Sequence, residues 1–165
     1  MTFNDIDEIT KAGFTGFKKM SELFADSSAL PRTKGVYLVL NLSNKPPEFA
    51  PAGTGGHFKG KNPNVSIAEL KANWVEKTIV VYIGKAGKDG SAATLHSRLK
   101  QYFGFGQGGN VGHWGGRLIW QLKNYNDLVV CWKALPTEDP RTFEATLIQQ
   151  FISKFHNRPF ANLSD

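Results

Sequence analysis

Three short runs of β-branched and aromatic residues, at 35–41, 78–84 and 127–135, constrain this chain more than any other feature. Runs of this kind suit buried strands, and each falls far short of the roughly 18 uninterrupted apolar residues that a membrane span needs. Turn formers bound them: Pro31 and Gly35 stand ahead of the first, a Gly-Lys-Ala-Gly-Lys-Asp-Gly-Ser segment follows the second, and Pro136 and Pro140 follow the third. A chain of 165 residues, 41% of them hydrophobic, has the content of one domain with a single core and a few added loops. The expectation is therefore one domain over 1–165. The opening Met1-Thr2-Phe3-Asn4-Asp5 lacks the basic-then-apolar order of a signal peptide, which predicts a cytoplasmic protein with no membrane partner.

Around these runs the apolar period becomes helical. Ile6, Ile9, Phe17, Met20 and Phe24 predict one or two helices in an N-terminal helical extension over 1–30, with Asn4 or Asp5 as cap. Residues 44–64 carry Pro46, Pro47, Pro51 and Pro63 among glycines and lysines and read as a long irregular loop. Ser66-Ile67-Ala68-Glu69 has the spacing of a capping box, and Ile67, Leu70 and Trp74 give the following helix an apolar face. Leu95, Leu99 and Tyr102 also recur at helical spacing, so Arg98 and Tyr102, four apart, share a face. After the glycine-rich stretch 104–116 and the third strand, Asp139 as cap and Pro140 at the first helical position predict a helix to about Phe155. Its inner face is Phe143, Leu147, Phe151 and Phe155, and Glu144 sits beside that face near the start.

The net charge of +6 favours approach to a polyanion. The basic residues form no single tract, so any binding surface must be assembled from separate segments. Candidates for it are Lys59 and Lys61 in the long loop, Lys88 in the turn after the second strand, and His113 and Arg117 around Trp114. The one cysteine, Cys131, lies in an apolar run and reads as a buried thiol. The four histidines lack zinc-ligand spacing, and Gly84-Lys85-Ala86-Gly87-Lys88 lacks the spacing of a nucleotide-binding P-loop.

Taken singly, a strand tyrosine packs in the core, a helical arginine is solvated, and a glutamate at a helix start complements the macrodipole. Their order says more. Gly35-Val36-Tyr37, then Tyr82-Ile83-Gly84-Lys85, then Arg98 with Tyr102-Phe103, then Glu144, then Pro159-Phe160-Ala161-Asn162 resembles the GIY-YIG nuclease family. The likeness is strongest to the GIY-YIG domain of the bacterial excision-repair endonuclease. It spans 35–162 at motifs, with valine in place of isoleucine in the first. Tyr37 and Tyr82 stand 45 positions apart, where the family commonly has a short hairpin, so 42–77 reads as an insertion between the first two strands. Restriction-type members also enlarge this region, which ranks restriction, phage defence or a mobile-element role ahead of repair.

The resemblance implies an α/β domain of α+β type, with a small, mostly antiparallel central sheet flanked by helices. It implies a metal-dependent endonuclease acting on DNA. Glu144 would hold one Mg²⁺ or Mn²⁺, with water and substrate oxygens filling the other positions. Arg98 would pair with the scissile phosphate. Tyr82 would be the general base, its phenolate favoured by Lys85, with Tyr37 orienting water or phosphate and Tyr102 and Asn162 supporting by hydrogen bonds. One site per chain implies a homodimer or two visits for double-strand cleavage. The rival expectation is a non-catalytic nucleic-acid-binding module of the same fold. A metal carboxylate retained beside the other motif residues argues against it, because binding alone has no need of one.

Overall fold

The three apolar runs become strands of one sheet in the computed structural model, which describes residues 1–164. The strands are β2 (Gly35–Leu40), β3 (Val80–Ala86) and β4 (Val129–Ala134), and β2 pairs antiparallel with both others. A fourth strand, β1 (Thr15–Lys19), adds antiparallel to the far edge of β4, giving the order β1-β4-β2-β3. This is a small α+β fold with a four-stranded antiparallel sheet flanked by helices.

β1 corrects the expected helical extension over 1–30, which holds two short helices, α1 (Ile6–Lys11) and α2 (Met20–Ala25), on either side of a strand. The apolar spacing there fits a helix, but Gly16 sits at φ +95°, a conformation that helices do not use. Its bare Cα lets the Trp132 ring of β4 lie directly against the β1 backbone.

The sheet divides the core in two, where the sequence suggested one. Tyr37, Val39, Val130 and Trp132 face α2, α4 (Leu95–Gly106) and the 3-10 helix Arg117–Gln121. Val36, Leu38, Leu40 and Cys131 face Phe3, α1 and α5 (Pro140–Phe155). This even alternation follows from the two-residue period of a strand. Val39 pairs with Tyr82 while Leu40 pairs with Val80, leaving Val81 as an unpaired bulge residue. A bulge shifts the phase of every residue beyond it, and here it brings Tyr82 onto the same face as Val81 and Tyr37. Among the described residues no helix is long and apolar enough to cross a membrane.

The insertion 42–77 is tied down along its length. It contains the 3-10 helix Phe58–Gly60 and α3 (Ile67–Asn73), whose N-cap Ser66 accepts from the Glu69 amide at 3.1 Å. The buried Gln121 side chain holds it from beneath. Its amide donates to the carbonyls of Ala50 at 3.1 Å and Val65 at 2.9 Å, and its oxygen accepts from the Val65 amide at 2.9 Å. One side chain thus satisfies backbone groups on both sides of a proline-rich loop that has few partners of its own.

At the other edge, the tail covers the bulged strand. The Ala161 amide donates to the Val81 carbonyl at 2.9 Å. The Asn162 side chain accepts from the Ile83 amide and donates to the Ile83 carbonyl, both at 2.9 Å.

Gln121→Ala removes the clamp and leaves buried backbone groups of the insertion unpaired, a cost of about 1–3 kcal/mol. Urea unfolding should register that loss, with amide exchange at Val65 accelerated beyond the global change.

Candidate active site

The pairing of β2 with β3 sets Tyr37 directly opposite Gly84. A Cβ at position 84 would overlap the Tyr37 ring, so only glycine lets the tyrosine lie across the neighbouring strand. The bulge turns Tyr82 toward it, and α4 brings Tyr102 over both. The ring centroids are 5.9 Å apart for Tyr37 and Tyr82, 5.5 Å for Tyr82 and Tyr102, and 6.3 Å for Tyr37 and Tyr102.

The three tyrosines sit at different depths. Tyr37 and Tyr102 are enclosed, and burial raises both phenols well above the ordinary value near 10. Tyr102 donates to the Gly116 carbonyl at 2.6 Å, which fixes the glycine loop on the ring cluster. Tyr82, at 7% exposure, lines a cleft of about 650 Å³. Its pKa rises to about 12, first through burial and next through the negative charge of Glu144. Two influences oppose these: the Tyr37 hydroxyl bonds to Tyr82 in the sense that favours ionisation of Tyr82, and the Arg98 charge acts likewise.

The cleft runs beside the edge strand β3. Tyr82 and Lys85 form one wall, residues 114–117 a second, and Arg141, Glu144 and Ala145 at the start of α5 a third, with Asn162 below. Asp139 accepts from the Thr142 amide at 3.2 Å and starts α5 one turn before Glu144. Arg98 stands on α4, where it donates to Gln101 at 2.8 Å, and its field reaches Tyr37, Tyr82 and His113. Glu144 acts on Tyr37 and Tyr82 from the opposite side of the sheet. The charges of Arg98 from α4 and Glu144 from α5 therefore both bear on the Tyr37 and Tyr82 phenols.

Arg98 is a cation acting on the Tyr82 phenol, and Lys85 lines the cleft further along β3. Asn162 hydrogen-bonds the Ile83 backbone next to Tyr82 and so ties the tail to β3. One expectation changes. His113 is 2% exposed and stacks on Tyr102 at 4.5 Å, so it offers no surface to a nucleic acid. Its aromatic character outweighs its polarity because the ring completes the tyrosine stack. Lys59, Lys61 and Lys88 are exposed outside the cleft, and Arg117 lines it. Arg141, which the sequence reading missed, also lines it. Its spacing three residues before Glu144 was the available signal, because the two share a helix face.

Among the described residues no three of His, Cys, Asp and Glu gather as a metal-ligand cluster. Among the described residues Glu144 is the one carboxylate along the cleft, and the neutral donors there are oxygens of Tyr82, Gln149 and Ser164 and the Asn162 amide. A sparse oxygen set does not fit zinc. It fits a hard divalent cation that keeps most of its water. No protein-family model, curated protein or solved structure matches this chain.

Glu144→Gln removes the charge that ranks next to burial in holding up the Tyr82 pKa. Absorbance titration against a Tyr82→Phe control should find that phenol ionising at lower pH in the variant.

Burial, and then the Arg98 charge, push His113 down from 6.5 to about 3. The folded state holds it neutral while the unfolded chain binds a proton below 6.5, so its contribution is complete above that pH and is lost as pH falls toward about 3. Wild type should lose about 1.4 kcal/mol per pH unit more than His113→Phe in urea unfolding across this window.

Proposed function

We propose that this chain is a metal-dependent endonuclease of the GIY-YIG type that hydrolyses DNA phosphodiester bonds. What supports the reading is that Tyr82 and Glu144, far apart in sequence, line one cationic cleft, with Tyr37 packed against Tyr82 and the Arg98 and Glu144 charges both bearing on the two phenols. A chance motif match gives no reason for these residues to converge.

Phosphodiester hydrolysis needs charge against the phosphate, a group to receive the proton of the attacking water, and help for the leaving oxygen. Lys85, Arg117 and Arg141 make the cleft positive, and Arg98, whose charge bears on Tyr82 from α4, is the planar cation that would pair with a phosphate. Glu144 is the residue that would hold one Mg²⁺ or Mn²⁺, which when bound supplies Lewis-acid stabilisation to substrate oxygens. Tyr82 is the cleft-facing phenol and Tyr37 the buried donor to it. On this reading Tyr82 is the base and Tyr37 orients it, which the cleft-lining position of Tyr82 supports. Neutralising Glu144 lessens the field that keeps Tyr82 protonated, which couples occupancy of the carboxylate to readiness of the base. A dimer, or two visits by one chain, would be needed to cut both strands.

Purified protein should nick supercoiled plasmid with Mg²⁺ or Mn²⁺ and stop when the metal is chelated. Arg98→Ala should lower the rate about 10²–10³-fold, and Glu144→Ala should abolish it. With a phenol near 12 as base, the wild-type rate should climb about tenfold per pH unit across neutral and mildly alkaline pH. Wild type that binds plasmid but leaves every DNA form intact would return the chain to the class of non-catalytic binding modules.

A further inference from the structure

Trp114 and Arg117 line the same cleft as Tyr82 and Glu144, yet no step of the hydrolysis uses the indole. The Arg117 guanidinium lies over the Trp114 ring at 4.5 Å and also bonds to the Trp114 carbonyl at 3.4 Å. The indole edge packs on the buried Phe105, with centroids 6.1 Å apart. The stack is therefore fixed in advance at a half-buried position, a costly arrangement for a surface loop without a ligand. It is also close to the candidate base. A Cβ at Gly115, next to Trp114, would stand only 3.1 Å from the Tyr82 hydroxyl.

We propose that the Trp114–Arg117 stack is a platform for an unpaired nucleobase adjoining the cut, so that the substrate is single-stranded or locally melted DNA. The inference rests on the nuclease reading and narrows its substrate. A base inside a duplex is stacked on both faces and has none to offer, so it can lie on this platform only after leaving the helix. The cleft of about 650 Å³ falls among pockets of roughly 300–1,000 Å³ that take single small ligands, a size that suits one base beside the cut. Aromatic and guanidinium planes accept any base by stacking, and the cation adds attraction to the flanking phosphate.

The test uses a fluorescein-labelled single-stranded oligonucleotide and the same sequence as perfect duplex, with anisotropy measured on the full chain carrying Glu144→Gln. Single strand should bind at least about tenfold tighter than duplex. Adding Trp114→Ala should weaken single-strand binding about 5- to 150-fold with little change for duplex. Trp114→Phe should recover part of the loss, which separates stacking from misfolding. Arg117→Lys keeps the charge and loses the planar group, so it too should weaken single strand more than duplex. Equal effects on both DNA forms, or none on either, would overturn the platform. The wild-type chain without Glu144→Gln reads the other question: if it discriminates in binding but cuts neither form, hydrolysis fails and the platform stands.

Discussion

The lie of the Tyr37 ring across Gly84 is the contact on which the rest of the site depends. A side chain at position 84 would push the ring off the neighbouring strand and with it the stack that α4 closes through Tyr102. The bulge at Val81 then decides which face Tyr82 takes. Without it, strict alternation would pair Tyr82 with the α5 side of the sheet and leave Val81 alone beside Tyr37. β3 is an edge strand with outward backbone groups left over, and the tail satisfies those of Val81 and Ile83 through Ala161 and Asn162. Strand register, tail and glycine loop thus form one connected support under a single cleft-facing hydroxyl.

Electrostatics sets a tension in that support. Aromatic packing places the phenols where water cannot stabilise a phenolate, and desolvation is the largest influence on all three. Arg98 relieves both Tyr37 and Tyr82, the Tyr37 hydroxyl relieves Tyr82 further, and Tyr82 alone of the three lines the cleft. The two tyrosines are therefore separated by depth: Tyr82 lines the cleft and Tyr37 lies enclosed behind it.

Much of this was legible in the sequence because it rests on local chemistry. The helix start at Asp139 and Pro140 follows from one cap and one fixed φ, and the inward face of α5 follows from its period. The order of glycines and tyrosines singled out Tyr37 and Gly84, which the β2–β3 register sets opposite each other, and Tyr82, which lines the cleft. What stayed hidden depends on distant partners. β1 carries no strong alternation because it is a half-exposed edge, and its glycine makes sense only beside Trp132. Gln121 reads as an ordinary polar residue until the insertion folds over it. His113 reads as a surface group beside glycines until Tyr102 is found beneath it.

The balance of charge in the cleft orders events on the nuclease reading. Among the described residues Lys85, Arg117 and Arg141 line it with one carboxylate, so a divalent cation arriving alone meets mostly like charge there. A phosphodiester arriving first meets attraction, supplies further oxygen ligands, and offsets the cations around Glu144. Substrate and metal therefore bind with positive coupling, and each raises the affinity for the other by the same factor. A sparse ligand set, a poor design for storing metal, is then a reason why the hydrolytic apparatus is complete only when DNA is in place.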